Sequence, residues 1–247
     1  MTALAWLLAA GVGLALGVLG GGGSILTVPV FTYVLGFEAK QAIAMSLPVV
    51  GIAAAAGAVM GIWRGTLPLA PALMVGAATM VGAFGGARLA TLLAGRTQLM
   101  LLAIAMLSAA VAMWFRSRTT SGLAGFHGHR HPLVLGAVGL AVGTLTGIVG
   151  IGGGFLIVPA LVIAGGLPMR EATAASLLVI ALSAAAGMAG YFGHVVFAWR
   201  IILPFAAMSS AGVIAGGVLA GRISQQYLQR SFAVALVLLA CYMLATR

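Results

Sequence analysis

The residues of this chain that are best suited to bind a ligand lie in two runs of glycine. The first run is in GVLGGGGSILTVPVF, residues 17–31, and the second is in GIVGIGGGFLIVPAL, residues 147–161. Glycine has no side chain, so a ligand can approach the backbone closely. A helix that begins after such a run presents unpaired N–H groups and the positive end of its dipole, which together bind anions. The candidate substrate-binding residues in the two runs are Gly22, Gly23, Ser24, Gly152, Gly153 and Gly154.

Two other interpretations of the glycine runs are weaker. A nucleotide-binding loop needs Gly-Lys-Ser/Thr, or an acidic residue about 20 positions after the glycines, and neither run has these features. Each run could instead allow two helices to cross closely. Because the same pattern occurs twice, we favour an interrupted helix at both places.

Two serines extend the set of candidate substrate-binding residues. Ser46 and Ser176 occupy equivalent positions in the helix that follows each glycine run. A hydroxyl at this position could donate a hydrogen bond to an oxyanion. The alternative is that each hydroxyl bonds a carbonyl of its own helix.

Three further side chains are candidates for coupling or gating. Lys40 and Arg170 stand at the start of the helices that carry the serines. They could attract anions there, or anchor the helices at the lipid interface. Histidine is the side chain type that most readily exchanges a proton under physiological conditions, so His194 is the candidate for proton coupling, with an interfacial position as the alternative.

The sequence offers little for metal, cofactor or covalent chemistry. His127, His129 and His131 alternate in a basic stretch that is typical of a solvated loop. Cys241 is the single cysteine, so the chain can form neither an internal disulfide nor a site with several cysteine ligands. We therefore expect no metal, no cofactor and no catalytic residues.

The composition indicates a membrane protein with an anionic substrate. Of the 247 residues, 63% are hydrophobic and 6% are charged, against about 25% charged in an average soluble domain; the mean hydropathy is +1.22. The net charge of +10 sets twelve Lys and Arg against Glu38 and Glu171. Carriers of cations usually need carboxylates within the membrane, so the shortage of acids favours an anion. The bases are scattered through short loops, which suits anionic lipids and argues against nucleic acid.

The chain repeats itself with a constant offset of 130 residues, which relates Gly17 to Gly147. Other pairs in the same register are Pro29 and Pro159, Lys40 and Arg170, and Ser46 and Ser176. Agreement of proline, cation and serine in one register indicates two copies of one module. We assign the first transmembrane repeat to residues 1–115, an exposed basic linker to 116–131 and the second transmembrane repeat to 132–247.

Each module predicts about four membrane segments, so the expected fold is an all-α integral membrane protein with about eight segments. The segments are 3–36, 39–63, 67–93 and 99–115, then 133–166, 172–192, 201–220 and 232–245. As one helix, 3–36 would reach roughly 50 Å, longer than a bilayer core of about 30 Å, so it must break at its glycines. We expect a water-filled cavity around each break. We favour inverted over parallel repeats, because inversion brings both helix starts into one cavity.

The glycine runs, the Val-Pro pair after each run and the following small-residue helix with Ser-Leu resemble the TauE/SafE family of sulfite and organosulfonate exporters, in the 4-toluene sulfonate uptake permease-like superfamily. The resemblance covers almost the whole chain. It implies a multi-pass carrier in the bacterial inner membrane for small sulfur-containing anions such as sulfite, sulfoacetate or thiosulfate, and it points to the same glycine-run residues. In one departure, Gly154 stands where the first copy has Ser24.

Together these features predict a secondary transporter, and not an enzyme, that exports its anion by alternating access. The membrane potential or a proton would supply the direction of transport. The expected partners are the anionic substrate and membrane lipids. A permease for another small anion, a metal-cation permease and a membrane-embedded enzyme are the alternatives. The oligomeric state is left open, with a dimer as one option.

Overall fold

The computed structural model describes residues 3–116, 132–150, 152–163 and 165–220, with isolated positions between 234 and 241. Within these residues the chain is helical apart from connecting turns. The helices are α1 (Ala3–Leu19), α2 (22–34), α3 (Ala39–Trp63), α4 (Leu69–Leu92), α5 (Gly95–Arg116), α6 (Pro132–Val149), α7 (Gly154–Ile163), α8 (Met169–Tyr191) and α9 (Trp199–Leu219). The segment α2 changes type along its length: it is 3₁₀ over Gly22–Leu26, α over Thr27–Pro29 and π over Val30–Val34.

Four of the described helices are long and apolar enough to cross a membrane, namely Ala39–Trp63, Leu69–Leu92, Arg170–Tyr191 and Trp199–Leu219. Shorter apolar helices accompany them in α1, α2, α5 and α6. Large apolar side chains such as Leu7, Val81 and Leu203 are exposed on the outer faces of the helices, which suits contact with lipid. The described part of the chain is therefore helical and carries several helices that could cross a membrane, which agrees with the prediction from composition.

The helix boundaries agree closely with the predicted segments where both can be compared. The bounds of α3 are those of the predicted segment 39–63, and α8 begins three residues before the predicted segment, directly after Pro168. Proline disfavours a helical conformation for the residue before it, so a helix that begins just after a proline is expected. Residues 117–131 and most of 232–245 lie outside the described residues, so the linker and the last segment stay predictions.

The centre of the molecule is formed by α3 and α8, which run antiparallel. A Cβ added at Gly187 would lie 3.3 Å from Leu47, and one added at Gly57 would lie 2.8 Å from Leu177. Residue numbers thus fall along α8 as they rise along α3. Buried side chains of both helices, including Leu47 and Val179, form much of the apolar core.

The antiparallel course gives the molecule two ends, which we name after their cations. The lysine end holds the start of α3, with Lys40, and the end of α8; there the Gln41 side-chain amide donates to the carbonyl of Val196 at 3.1 Å. The arginine end holds the start of α8, with Arg170, and the end of α3.

Two pairs of outer helices pack with their backbones in contact, α1 against α9 and α6 against α4. Cβ atoms at Gly13 and Gly17 would collide with the backbone of Ser209 and Val213. In the second pair, Cβ atoms at Gly143 and Gly147 would collide with the backbone of Thr79 and Ala83. Small residues spaced four apart allow this close approach in lipid. Both contacts join one half of the chain to the other.

Candidate functional site

Both expected helix interruptions are present at the glycine runs. The helix α1 ends at Leu19 and α6 ends at Val149. The glycines that follow have positive φ: 68° at Gly20 and 146° at Gly21, then 73° at Gly150. Residues with a Cβ adopt this region only at a cost, whereas glycine enters it freely. The glycines are therefore needed by the backbone itself at these two breaks.

After each break the chain folds back along the helix it has just left. A Cβ at Gly23 would collide with the backbone of Val12 and Leu16, both in α1. In the second half a Cβ at Gly153 would lie 3.3 Å from Val142 of α6. Both runs therefore produce a tight helix hairpin, with α1 and α2 in one hairpin and α6 and α7 in the other.

The two breaks touch each other. A Cβ at Gly21 would lie 2.6 Å from the carbonyl oxygen of Gly154, and one at Gly154 would lie 2.8 Å from the carbonyl oxygen of Gly21. A Cβ at Gly152 would lie 3.7 Å from that of Ser24. The starts of α2 and α7 are therefore in direct contact, backbone against backbone.

This meeting point lies level with the middle of the central helices. A Cβ at Gly152 would lie 2.7 Å from Val50 and 3.2 Å from Ile180, each close to the midpoint of its helix, α3 or α8. The first N–H groups of a helix have no partner within that helix, and its start carries the positive end of the dipole. Two such starts are thus brought together far from either end of the molecule.

The meeting point is closed in this conformation. Ser24 has no exposed surface, and Gly23, Gly152, Gly153 and Gly154 are buried. The Ser24 hydroxyl donates to the carbonyl of Gly21 at 2.7 Å. The water-filled cavity expected from the sequence is therefore not present around these residues here. Instead protein atoms pack against them, which also satisfies the requirement of an interrupted helix in a membrane.

Ser46 and Ser176 bond the breaks and do not contact the glycines at the helix starts. The Ser46 hydroxyl lies 2.6 Å from the carbonyl oxygen of Gly150 and 2.6 Å from that of Ile43. The Ser176 hydroxyl donates to the carbonyl of Gly20 or to that of Thr173, at 2.8 Å for the latter. A hydroxyl has one proton, so in this conformation each serine donates to a carbonyl.

The two serine contacts are related by the same offset as the sequence. The offset of 130 relates Ser46 to Ser176 and Gly20 to Gly150, and the two serines make corresponding contacts, Ser46 with Gly150 and Ser176 with Gly20. Each serine therefore bonds the break of the other half of the chain. One of these bonds lies towards the lysine end and the other towards the arginine end.

The three candidates for coupling or gating are spread over both ends and do not contact the glycines. The Lys40 ammonium donates to the carbonyl of Thr91 at 2.6 Å, at the C-terminal end of α4, where a positive charge is favoured by the helix dipole. Arg170 is exposed at the arginine end. His194 is exposed in the turn after α8, with its Nδ1 3.1 Å from the carbonyl oxygen of Phe192.

No metal site is formed within the described part of the chain, since no group of three or more His, Cys, Asp or Glu side chains comes together there. His127, His129 and His131 lie outside that part. The expectation that the protein needs no metal stays a prediction.

Several buried polar side chains were not anticipated from the sequence, among them Tyr191, Gln98 and Ser183. Tyr191 is fully buried at the end of α8, and its hydroxyl donates to the carbonyl of Gly147 at 3.2 Å. The sequence does hold a signal, because the repeat offset places Gly61 opposite Tyr191. A large polar residue in one copy and glycine in the other marks a departure from the repeat.

The sequence model of the family described as "Sulfite exporter TauE/SafE" matches residues 5–243. The chain belongs to this family. A protein of Xylella fastidiosa strain 9a5c named "Probable membrane transporter protein" is 34% identical over 242 residues, which cover 94% of this chain and 91% of the relative. A protein of the same name from strain Temecula1 / ATCC 700964 is 33% identical over 238 residues, with the same coverage. No solved structure matches the chain significantly.

Membership of the TauE/SafE family and the helical architecture agree with each other. The family and the names of the relatives indicate a membrane transporter, which suggests that the chain does not catalyse a reaction. The long apolar helices are consistent with a membrane protein.

Proposed function

We propose that this protein is a secondary transporter that exports a small sulfur-containing anion across the bacterial inner membrane by alternating access. Sulfite, an organosulfonate such as sulfoacetate, or thiosulfate is the substrate. The observation that carries the proposal is the contact between the starts of α2 and α7, where Gly21 and Gly154 meet beside the middle of α3 and α8.

The chemistry of the meeting point suits an anion. The N–H groups at the starts of α2 and α7, with the positive ends of both helices, attract negative charge. The two carboxylates of the chain, Glu38 and Glu171, stand at opposite ends of the molecule, next to the starts of α3 and α8, so neither repels an anion at the centre. Interrupted helices at corresponding positions of two repeats are typical of transporter binding sites.

An inverted arrangement of the two repeats is supported by the direction of equivalent helices. The repeat offset relates α3 to α8, and these run antiparallel. If both cross the membrane, one repeat is upside down relative to the other. The close contacts of α1 with α9 and of α6 with α4 then interlock the two repeats. In each contact, the first predicted segment of one repeat packs on the third predicted segment of the other.

The closed meeting point becomes a binding site when one end opens. Separation at the lysine end breaks the Ser46–Gly150 bond, and separation at the arginine end breaks the Ser176–Gly20 bond. The serine hydroxyl then keeps one carbonyl acceptor in its own helix, at Ile43 or Thr173, and can turn from it to donate to an oxyanion. Lys40 and Arg170 attract anions to the two openings. The lipid bilayer and the anion are the partners, with His194 as the group that could couple a proton.

The membrane potential supplies a driving force for export. With the inside negative, an anion is driven outward by about 2.3 kcal/mol per charge per 100 mV. Export of a divalent anion therefore needs no ATP.

Counterflow of labelled sulfite in proteoliposomes tests this function. Vesicles loaded with unlabelled sulfite should accumulate external labelled sulfite only when they contain the protein, and unlabelled sulfonates should compete. Vesicles loaded with chloride are the control. Accumulation of a metal cation in place of sulfite, or turnover of sulfite without its entry, would contradict the proposal.

A further inference from the structure

Tyr191 is the largest fully buried side chain of the described residues, and its hydroxyl bonds the end of α6. Its hydroxyl donates to Gly147 in the last turn of α6, while the Ser46 hydroxyl reaches Gly150 just beyond the same helix. The last carbonyls of a helix have no partner within that helix, so they accept such donors readily. Side chains from α3 and α8 together hold the end of α6 at the lysine end.

The arginine end cannot form the same pair of bonds. There Ser176 reaches Gly20, as Ser46 reaches Gly150. The residue that the repeat offset places at the position of Tyr191 is Gly61, which has no hydroxyl to donate. The two ends are therefore chemically unequal, although the backbone around them follows the repeat.

The bond from Tyr191 to the end of α6 lies in the protein interior. Tyr191 has no exposed surface, and Gly147 is buried. Buried hydrogen bonds of this kind are costly to break without replacement.

We propose that Tyr191 is a positioning residue that biases the transporter towards the conformation closed at the lysine end. The inference rests on the proposed alternating access, since it concerns which end opens more often at rest. Loss of the Tyr191 hydroxyl leaves the Gly147 carbonyl without its donor and lowers the cost of opening the lysine end only. The conformational equilibrium then shifts towards opening at that end.

A pair of equivalent reporter cysteines tests this bias. In a Cys241→Ser background, Ile43→Cys reports on the lysine end, because Ile43 is fully buried against Gly150. Thr173→Cys reports on the arginine end, because Thr173 makes the corresponding contact with Gly20. Tyr191→Phe should raise the rate of N-ethylmaleimide labelling at position 43 by roughly two- to twelvefold, the range expected from the net contribution of one hydrogen bond. The rate at position 173 should not rise.

Ser183→Ala is the matched control. It removes a buried hydroxyl of α8 that donates to the carbonyl of Ile180 within the same helix. It should leave both labelling rates unchanged. Equal increases at positions 43 and 173 in Tyr191→Phe would mean general loosening and would overturn the proposal, as would no change at position 43. If Tyr191→Phe does not fold, Tyr191→Met provides the second test, because it also removes the hydroxyl and keeps an apolar side chain. A rise at position 43 alone is expected, and equal increases at positions 43 and 173 would contradict the proposal.

The labelling experiment needs no substrate, so it separates this inference from the proposed function. A selective rise at position 43 in a protein that shows no sulfite counterflow would keep the role of Tyr191 in conformational bias and reject sulfite export. Normal sulfite counterflow with unchanged labelling would keep sulfite export and reject the role of Tyr191 in conformational bias.

Discussion

Ser46 and Ser176 each have one hydroxyl proton, and in this conformation both protons are directed to carbonyls. The acceptors at Gly150 and Gly20 belong to the break in the other half of the chain. Their role here is to hold the two interrupted helices in place. The sequence predicted that these serines matter as a pair, because they share a register. It did not predict their acceptors, which lie more than 100 positions away.

Replacement of either serine by alanine should therefore destabilise the protein. We expect Ser46→Ala and Ser176→Ala each to lower the free energy of unfolding by about 1 kcal/mol, because a buried carbonyl loses its donor. Ser210→Ala is the control, since this hydroxyl bonds only its own helix at Ala206. Unfolding of the purified protein in detergent measures the difference. A loss no greater than that of Ser210→Ala would show that the bonds to the breaks contribute nothing.

At the scale of the elements, the local sequence predicted where the helices stop and left open how they pack. Glycine and proline act on the backbone of their own and directly neighbouring residues, so the ends of α1, α3 and α6 could be predicted from the local sequence. The reversal of α2 along α1 depends on Gly23 meeting Val12 and Leu16, and the closure of the site depends on Gly21 meeting Gly154. Such contacts join positions that no local pattern relates. Because the sequence did not reveal these contacts, we expected a water-filled cavity at the breaks, where protein atoms pack in the structure.

The close pairing of α6 with α4 should fail when a side chain is inserted between them. Gly147→Val places atoms where the backbone of Ala83 and Ala87 lies, so we expect a loss of about 2 kcal/mol or more from overpacking. Gly136→Val is a control in the same helix, where an added Cβ meets nothing within 4 Å. Equal thermal stability of the two variants would contradict the backbone contact between α6 and α4.

At the scale of the whole molecule, the proposed inverted arrangement predicts that equivalent loops face opposite sides of the membrane. Arg64 and His194 are related by the repeat offset, and both are exposed, one at the arginine end and one at the lysine end. In a Cys241→Ser background, Arg64→Cys and His194→Cys should react with a membrane-impermeant thiol reagent from opposite sides of oriented vesicles. Reaction of both from the same side would indicate parallel repeats.

Binding of sulfite to the purified protein, with and without a side chain at Gly154, tests the central claim most directly. Calorimetric titration should show sulfite binding to the unchanged protein and to Gly85→Ala, where an added Cβ meets nothing within 4 Å. Gly154→Ala inserts a methyl group between the two helix starts, so its affinity for sulfite should fall at least about tenfold, the effect of losing about 1.4 kcal/mol of binding free energy. A folded Gly154→Ala protein that binds sulfite as tightly as Gly85→Ala would contradict the account.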